Sequence, residues 1–221
     1  MKAHFAIELE NILQRTRVQG TRIAEAIERA LSSFRESDTT RAEEVIQADK
    51  FIDQEEIRIE EECLKLLALY QPVASDLRTL ISVLKINTTL ERMADFGCHM
   101  AERTINTARL PQPANDAVFD FVPMQKTVLS MIHDTLTVIT RSDVDLAYSV
   151  IERDNTVDSM RREHRTRVQT TLHQYPNHAE YCLECHGLAR DLERTADLCT
   201  DICEHIIYMR TARIIRHQEP H

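Results

Sequence analysis

Apolar residues recur every three or four positions through most of the chain, the spacing that lines one face of an α-helix. Phe5, Leu9, Ile12, Val18, Ile23, Ile27, Leu31 and Phe34 predict a first helix from His4 to Arg35, with Gly20 inside it. A helical glycine costs about 1 kcal/mol against alanine, so a close contact or a bend is expected there. Ser37-Asp38-Thr39-Thr40 offers a turn with N-cap residues. A second helix then runs to about Leu69 on a stripe of Val45, Ile52, Ile59 and Leu66, helped by Ala48 and Cys63. Glu55, Glu56, Glu60, Glu61 and Glu62 occupy its other side, which reads as a solvated face. Tyr70-Gln71-Pro72 closes it, because proline cannot continue a helix but can begin one. A third helix follows to about Arg109, with Leu77, Leu80, Leu84, Leu90, Met93, Gly97 and Ala101 expected inside. Leu110-Pro111-Gln112-Pro113-Ala114-Asn115 is the clearest break in the chain.

Beyond the break the plan repeats. A helix is expected from Asp116 to Thr140, a turn at Arg141-Ser142-Asp143, a helix to about His173, and a corner at Tyr175-Pro176-Asn177. A last helix reaches about Arg213, with 217–221 frayed. Leu90-Glu91-Arg92-Met93-Ala94-Asp95 returns 102 residues later as Leu192-Glu193-Arg194-Thr195-Ala196-Asp197. Ser37-Asp38 and the pattern Ala42, Val45, Ile46, Asp49, Ile52, Asp53 return 105 residues later as Ser142-Asp143 and Ala147, Val150, Ile151, Asp154, Val157, Asp158. Three residues are therefore missing from the second copy between these blocks. Upstream the likeness is only hydrophobic, Ile23, Ile27, Leu31 and Phe34 answering Val128, Ile132, Leu136 and Ile139, and Gln125 answers Gly20. A fixed period of about a hundred residues means duplication. The fold class is all-α: six long helices as two tandem three-helix bundles, residues 1–110 and 114–215.

Composition supports this reading. With 3 Gly, 6 Pro and an aromatic share of 5% in 221 residues, the chain is poor in sheet and turn formers. The net charge of −9 argues against a nucleic-acid partner, which needs a basic face, and suits cation binding. Residues 1–10 have no apolar core to serve as a signal peptide, so a cytoplasmic location is expected, without disulfides among the six cysteines. No apolar run is long enough to span a membrane.

Candidate chemistry lies in the repeated acids. Asp49 and Asp53 stand four apart on one helix, Glu91 and Asp95 four apart on the next, so each pair shares a face. Asp53 and Glu91 lie equally far either side of Pro72, as do Asp49 and Asp95. Two antiparallel helices meeting at that turn bring the four level. In the second half Asp158 and Glu193, and Asp154 and Asp197, are equidistant from the Tyr175–Pro176 bond. Four carboxylates at one level repel unless a cation lies among them, and such oxygen donors suit Mg²⁺, Mn²⁺, Ca²⁺ or iron. His99 and Asp201, one turn further along, would complete the two sites and make them unequal. The plainer alternative is that these acids are the wet side of amphipathic helices, or pair with Arg92 and Arg194. Cys182-x-x-Cys185-His186 is a fragment of a zinc pattern, with Cys199 and Cys203 nearby, but their helical spacing beside Leu188, Leu192 and Ile202 favours buried free thiols. Di-iron oxidases use Glu-x-x-His pairs, a spacing that Glu102, Glu163-His164, Glu184-Cys185-His186 and His205 do not supply.

The run Ala68-Leu69-Tyr70-Gln71-Pro72-Val73-Ala74-Ser75-Asp76-Leu77-Arg78, followed by Leu90 to Asp95 and the ending Glu204-x-Ile206-Ile207-Tyr208, resembles the PhoU family of phosphate-transport regulators. The resemblance spans almost the whole chain. It implies two three-helix bundles and a non-enzymatic negative regulator of phosphate uptake and phosphate-starvation signalling. The implied partners are the ATPase subunit of a phosphate ABC transporter and a sensor histidine kinase. Such a protein would be a homodimer and reach the inner face of the membrane only through those partners. It also implies metal at Asp49/Asp53, Glu91/Asp95, Asp154/Asp158 and Glu193/Asp197, the candidates being iron, manganese, magnesium or zinc. Many relatives carry His directly after the motif Asp, where Phe96 and Leu198 stand here, and Asn where His99 and Asp201 stand.

Overall fold

The computed structural model of the protein describes residues 2–111 and 119–215. Among them are six α-helices and no strand: α1 (Lys2–Glu36), α2 (Thr39–Tyr70), α3 (Ala74–Thr107), α4 (Val122–Arg141), α5 (Val144–Gln174) and α6 (Ala179–Thr211). At 1.5 Å of rise per residue the longest span about 50 Å. α1, α2 and α3 pack together as one bundle, α4, α5 and α6 as the other, and α3 lies along α6 between them.

The duplicated turns are built alike. Ser37 and Ser142 take left-handed backbone after α1 and α4, with φ of 53° and 52°. Asp38 and Asp143 then cap the next helix, their side chains accepting from Arg41 N and Leu146 N at 3.0 Å each. Such a cap contributes about 1 kcal/mol.

Two helix starts differ from the expected ones. α3 begins at Ala74 rather than Pro72, after the extended Val73. α4 begins at Val122, not Asp116; the first part of that expected start, like much of the 110–115 break and the 217–221 tail, lies outside the described residues. Pro123 is the reason. Inside a longer helix it would remove a hydrogen bond and clash with the preceding turn, whereas at the second helical position it costs nothing. Asp120 accepts from Val122 N at 3.0 Å, and Phe121 stacks on His164 of α5 with centroids 4.7 Å apart. α6 begins at Ala179, after a single 3₁₀ turn over Pro176–His178.

The main hydrophobic core is shared by both bundles, running from Ile23 and Ile27 of α1 through Leu90 and Met93 of α3 to Leu192 and Ile202 of α6. A smaller cluster of Phe5, Ile12, Ile59, Leu66 and Leu80 fills the far end of the first bundle. Leu77, expected inside, is 39% exposed in the first turn of α3, as Val18 and Ala48 are exposed on α1 and α2. Val18 lies on the far side of α1 from Ile23 and Ile27; Thr16 and Gln19 take the inner face instead. Gln19 donates to the Ile52 carbonyl at 2.8 Å. Glu55 and Glu62 are not merely solvated, for both pair with Arg15 of α1.

Gly20 marks a close approach of the two halves: a Cβ there would lie 2.6 Å from Leu136 Cδ2 of α4. The obstacle is the end of a flexible side chain. Gly20→Ala is therefore expected to leave the melting temperature within about 2 °C of wild type in a thermal scan, because the gain in helix propensity of about 1 kcal/mol offsets the displaced leucine.

Candidate functional site

Pro72 folds α3 back along α2, and the 176–178 turn folds α6 back along α5. In the first bundle Asp49 and Glu91 are half-buried, and Asp53 and Asp95 exposed. Burial pushes the Asp49 carboxyl up, joined by the charges of Asp53 and Asp95, while a hydrogen bond from the Cys98 thiol opposes them. Burial also raises Glu91, with Asp95, Glu56, Asp53 and Asp49 adding to it. The four acids therefore lie within one another's field. His99 is exposed, its ring edge-on to Phe96 at 5.7 Å, and carboxylates account for the charges that raise Asp49 and Glu91.

The second cluster is more deeply set. Glu193 is buried, and Asp154, Asp158 and Asp197 are half-buried. Burial drives Asp154 up to about 7, reinforced by Asp197, Asp158, Glu193 and Asp201. Burial likewise raises Glu193 and Asp197 despite cationic neighbours. Those neighbours are Arg194, 3.1 Å from Asp197 and 3.6 Å from Glu193, and Arg161, 3.6 Å from Glu193. Arg92, the counterpart of Arg194, lines a cleft with Arg194, Asp197 and Asp201.

Hard oxygen donors set among like charges suit a hard cation. One buried oxygen, Asp154 Oδ1, lacks a hydrogen-bond partner, which is how a donor waiting for a ligand presents itself; Glu193 Oε2 makes no hydrogen bond but faces Arg194 Nε at 3.6 Å. As they stand, however, no three His, Cys, Asp or Glu side chains among the described residues are gathered closely enough to hold one ion. Donor chemistry and burial fit a metal; the side-chain positions do not by themselves form a closed shell.

Two neighbours of the acids are not among the residues that the repeat singles out. Cys98 lies one turn beyond Asp95 on the same flank, so helical spacing alone is enough to find it. Arg161 lies on α5, one turn beyond Asp158, and only the packing of α5 on α6 brings it to Glu193. The zinc-like cysteines, by contrast, are core. Cys182, Cys185, Cys199 and Cys203 are all free and buried, and burial pushes the thiols of Cys185 and Cys203 up to about 12. No three of them, with or without a neighbouring His, Asp or Glu, are gathered closely enough among the described residues to hold an ion.

No helix of the described residues is long and apolar enough to cross a membrane. The family described as PhoU domain matches this chain twice, over residues 18–104 and 121–206. A phosphate-specific transport system accessory protein PhoU homolog from Aquifex aeolicus is 33% identical over 96% of this chain and 95% of its own length. The phosphate-specific transport system accessory protein PhoU of Escherichia coli is 27% identical over 98% of this chain and 89% of its own. The crystal structure of PhoU from Pseudomonas aeruginosa superposes with a TM-score of 0.88 at 31% identity, covering 95% of this chain and all of that one.

Proposed function

The chain belongs to the PhoU family, and from that premise we propose that it is an accessory protein of a phosphate-specific transport system that restrains phosphate uptake and the phosphate-starvation response. The observation that carries this reading is the family match in both halves, over a chain that relatives so named accompany nearly end to end. In this reading it is a cytoplasmic homodimer and a regulator rather than an enzyme. It couples the ATPase subunit of the phosphate ABC transporter to a sensor histidine kinase. Restoring the chain to cells deleted for it should lower phosphate uptake at high external phosphate; uptake that stays at the deletion level would sink the reading.

Metal at the acidic clusters is the finer part of the proposal. Asp49, Asp53, Glu91 and Asp95 would hold one group, with His99 at its edge. Asp154, Asp158, Glu193, Asp197 and Asp201 would hold the other. Iron, manganese, magnesium and zinc are the candidates, and the bound metal would supply the positive charge these carboxylates lack. Support comes from the buried Asp154 oxygen that has no hydrogen-bond partner and from the upward push the acids exert on one another. This chain's part is to set the acids on facing helices, so that neutralising them fixes the angle of each helix pair and the face offered to partners. Elemental analysis of protein purified without chelator is the test, beside a variant with Glu91, Asp95, Glu193 and Asp197 all changed to alanine. Metal is expected in the first and lost from the second; equal contents would overturn it. A metal-free adaptor is the second reading, favoured by Arg161 and Arg194, which already supply cations to Glu193 and Asp197.

A further inference from the structure

We infer that the cleft where α3 passes the last turns of α6 is an oxyanion site for a phosphate-like group, held by Lys85 and Arg92. The cleft is shallow and open, with a volume of about 420 Å³, and Lys85, Thr88, Thr89, Arg92, Asp201 and His205 line it. Lys85, Thr88 and Arg92 follow one another at spacings of three and four, so they share one face of α3.

The cleft follows from how the duplicated halves meet. α3 and α6 run antiparallel: Arg103 reaches Asp191 and Glu184, whereas Lys85 and Arg92 meet the 201–205 end of α6. The interface thus has two ends related by the 102-residue repeat, with Phe96 and Leu198 in a cleft between them. At one end the Arg103 guanidinium fills the space, Nε on Asp191 at 2.6 Å and Nη1 on Glu184 at 2.9 Å. It lies over Gly187, where a Cβ would come within 2.0 Å of it.

At the other end all four roles have changed. His205 stands where Arg103 does, Thr89 where Asp191 does, Ser82 where Glu184 does, and Lys85 where Gly187 does. Both carboxylates have become hydroxyls, and an ammonium-bearing side chain replaces a hydrogen atom. The Thr89 hydroxyl donates to the Lys85 carbonyl at 2.9 Å, so that position is satisfied and neutral. Among the described residues two permanent cations, Lys85 and Arg92, line this cleft with one carboxylate, Asp201; Arg92 also borders the adjoining cleft, where Asp197 is paired with Arg194 at 3.1 Å. An exogenous anion there takes the part that the Asp191 and Glu184 carboxylates play at the twin end. Guanidinium and ammonium groups hold tetrahedral oxyanions through charge-assisted hydrogen bonds. The Thr88 hydroxyl, on a 3.3 Å bond to the Leu84 carbonyl, is placed between them in sequence to turn and add a third donor.

The same chemistry fits free phosphate and the phosphate of a lipid headgroup, and two arms separate them. Calorimetry on the chelator-treated full chain uses inorganic phosphate as probe in phosphate-free buffer. Flotation uses vesicles of phosphatidylglycerol in phosphatidylcholine, against phosphatidylcholine alone. At least one arm is expected to show saturable binding, weakened about tenfold or more by Lys85→Gln and by Arg92→Gln. Thr89→Asp, which rebuilds the twin's carboxylate, should abolish it. Lys85 and Arg92 are exposed, so their variants decide the matter even if Thr89→Asp does not fold. Binding in neither arm, or binding that survives both glutamine variants, overturns the inference. Lys85→Gln changes none of the acids assigned to metal, so a metal content unchanged in that variant separates this result from any failure of the metal reading.

Discussion

Arg103→Ala is expected to lower the melting temperature by about 10 °C. Arg103 ties α3 to two carboxylates of α6, Asp191 and Glu184. The Asp191 side chain is 1% exposed and that of Arg103 17%. Removing the arginine leaves a carboxylate that water cannot reach with the longer 3.8 Å contact to Arg190 Nε. Breaking a buried pair from one side costs about 3–5 kcal/mol, and a chain of this size moves about 2–4 °C per kcal/mol. The double variant Arg103→Met, Asp191→Leu should recover most of the loss, because the cost lies in the stranded charge and not in the missing attraction. Glu184 is then left with Asn106, which donates to it at 3.2 Å. Gly187→Ala should behave much like Arg103→Ala, since its methyl group would occupy the space of the guanidinium. This contrasts with Gly20→Ala, where a leucine tip can move aside. Thermal scans of the three variants and the double variant decide it. A double variant no more stable than Arg103→Ala would show that the arginine contributes by packing.

That bridge also marks the point at which sequence patterns stop being informative. Equidistance from a turn places residues across one helical hairpin, so Asp49 with Asp95, and Asp154 with Asp197, are legible in the order of residues alone. The repeat likewise implies that Asp143 caps as Asp38 does. Arg103 and Asp191 are 88 residues apart and belong to different halves. No turn fixes their register; it follows only from how α3 and α6 pack. Polar residues inside the core are hidden for a related reason. Gln19 and Thr16 occupy an inner face that periodicity assigns to apolar residues; the Ile12 carbonyl accepts from the Thr16 hydroxyl and the Ile52 carbonyl from the Gln19 amide nitrogen, while Gln19 Oε1 has no hydrogen-bond partner. The start of α4 is different. Pro123 stands in plain view seven residues after Asp116, and the exclusion of proline from helix interiors is enough to place the start beside it.

Asp154→Asn should stabilise the chelator-treated protein by about 5 °C at pH 8 and by almost nothing at pH 4. Asp154 is raised from 3.8 to about 7 by burial and four neighbouring acids. Between those values the folded chain holds this proton and the unfolded chain does not. The stability it contributes is thus complete below about pH 4 and lost as pH rises towards 7; above that the folded state carries a buried, crowded charge. An amide of the same shape carries none, so the advantage of the variant should grow across this window and level off beyond it. Cation addition should reverse the order at pH 8. A metal requires the carboxylate deprotonated, so the wild type should gain stability with manganese or magnesium, by about 2.7 kcal/mol at a hundredfold excess over the dissociation constant. The asparagine variant, short of one charged donor, should gain far less. If both respond equally to the cation, Asp154 is no ligand; if the two pH profiles run parallel, its carboxyl titrates alike in the folded and unfolded chains, and the acids of α5 and α6 do not share one field.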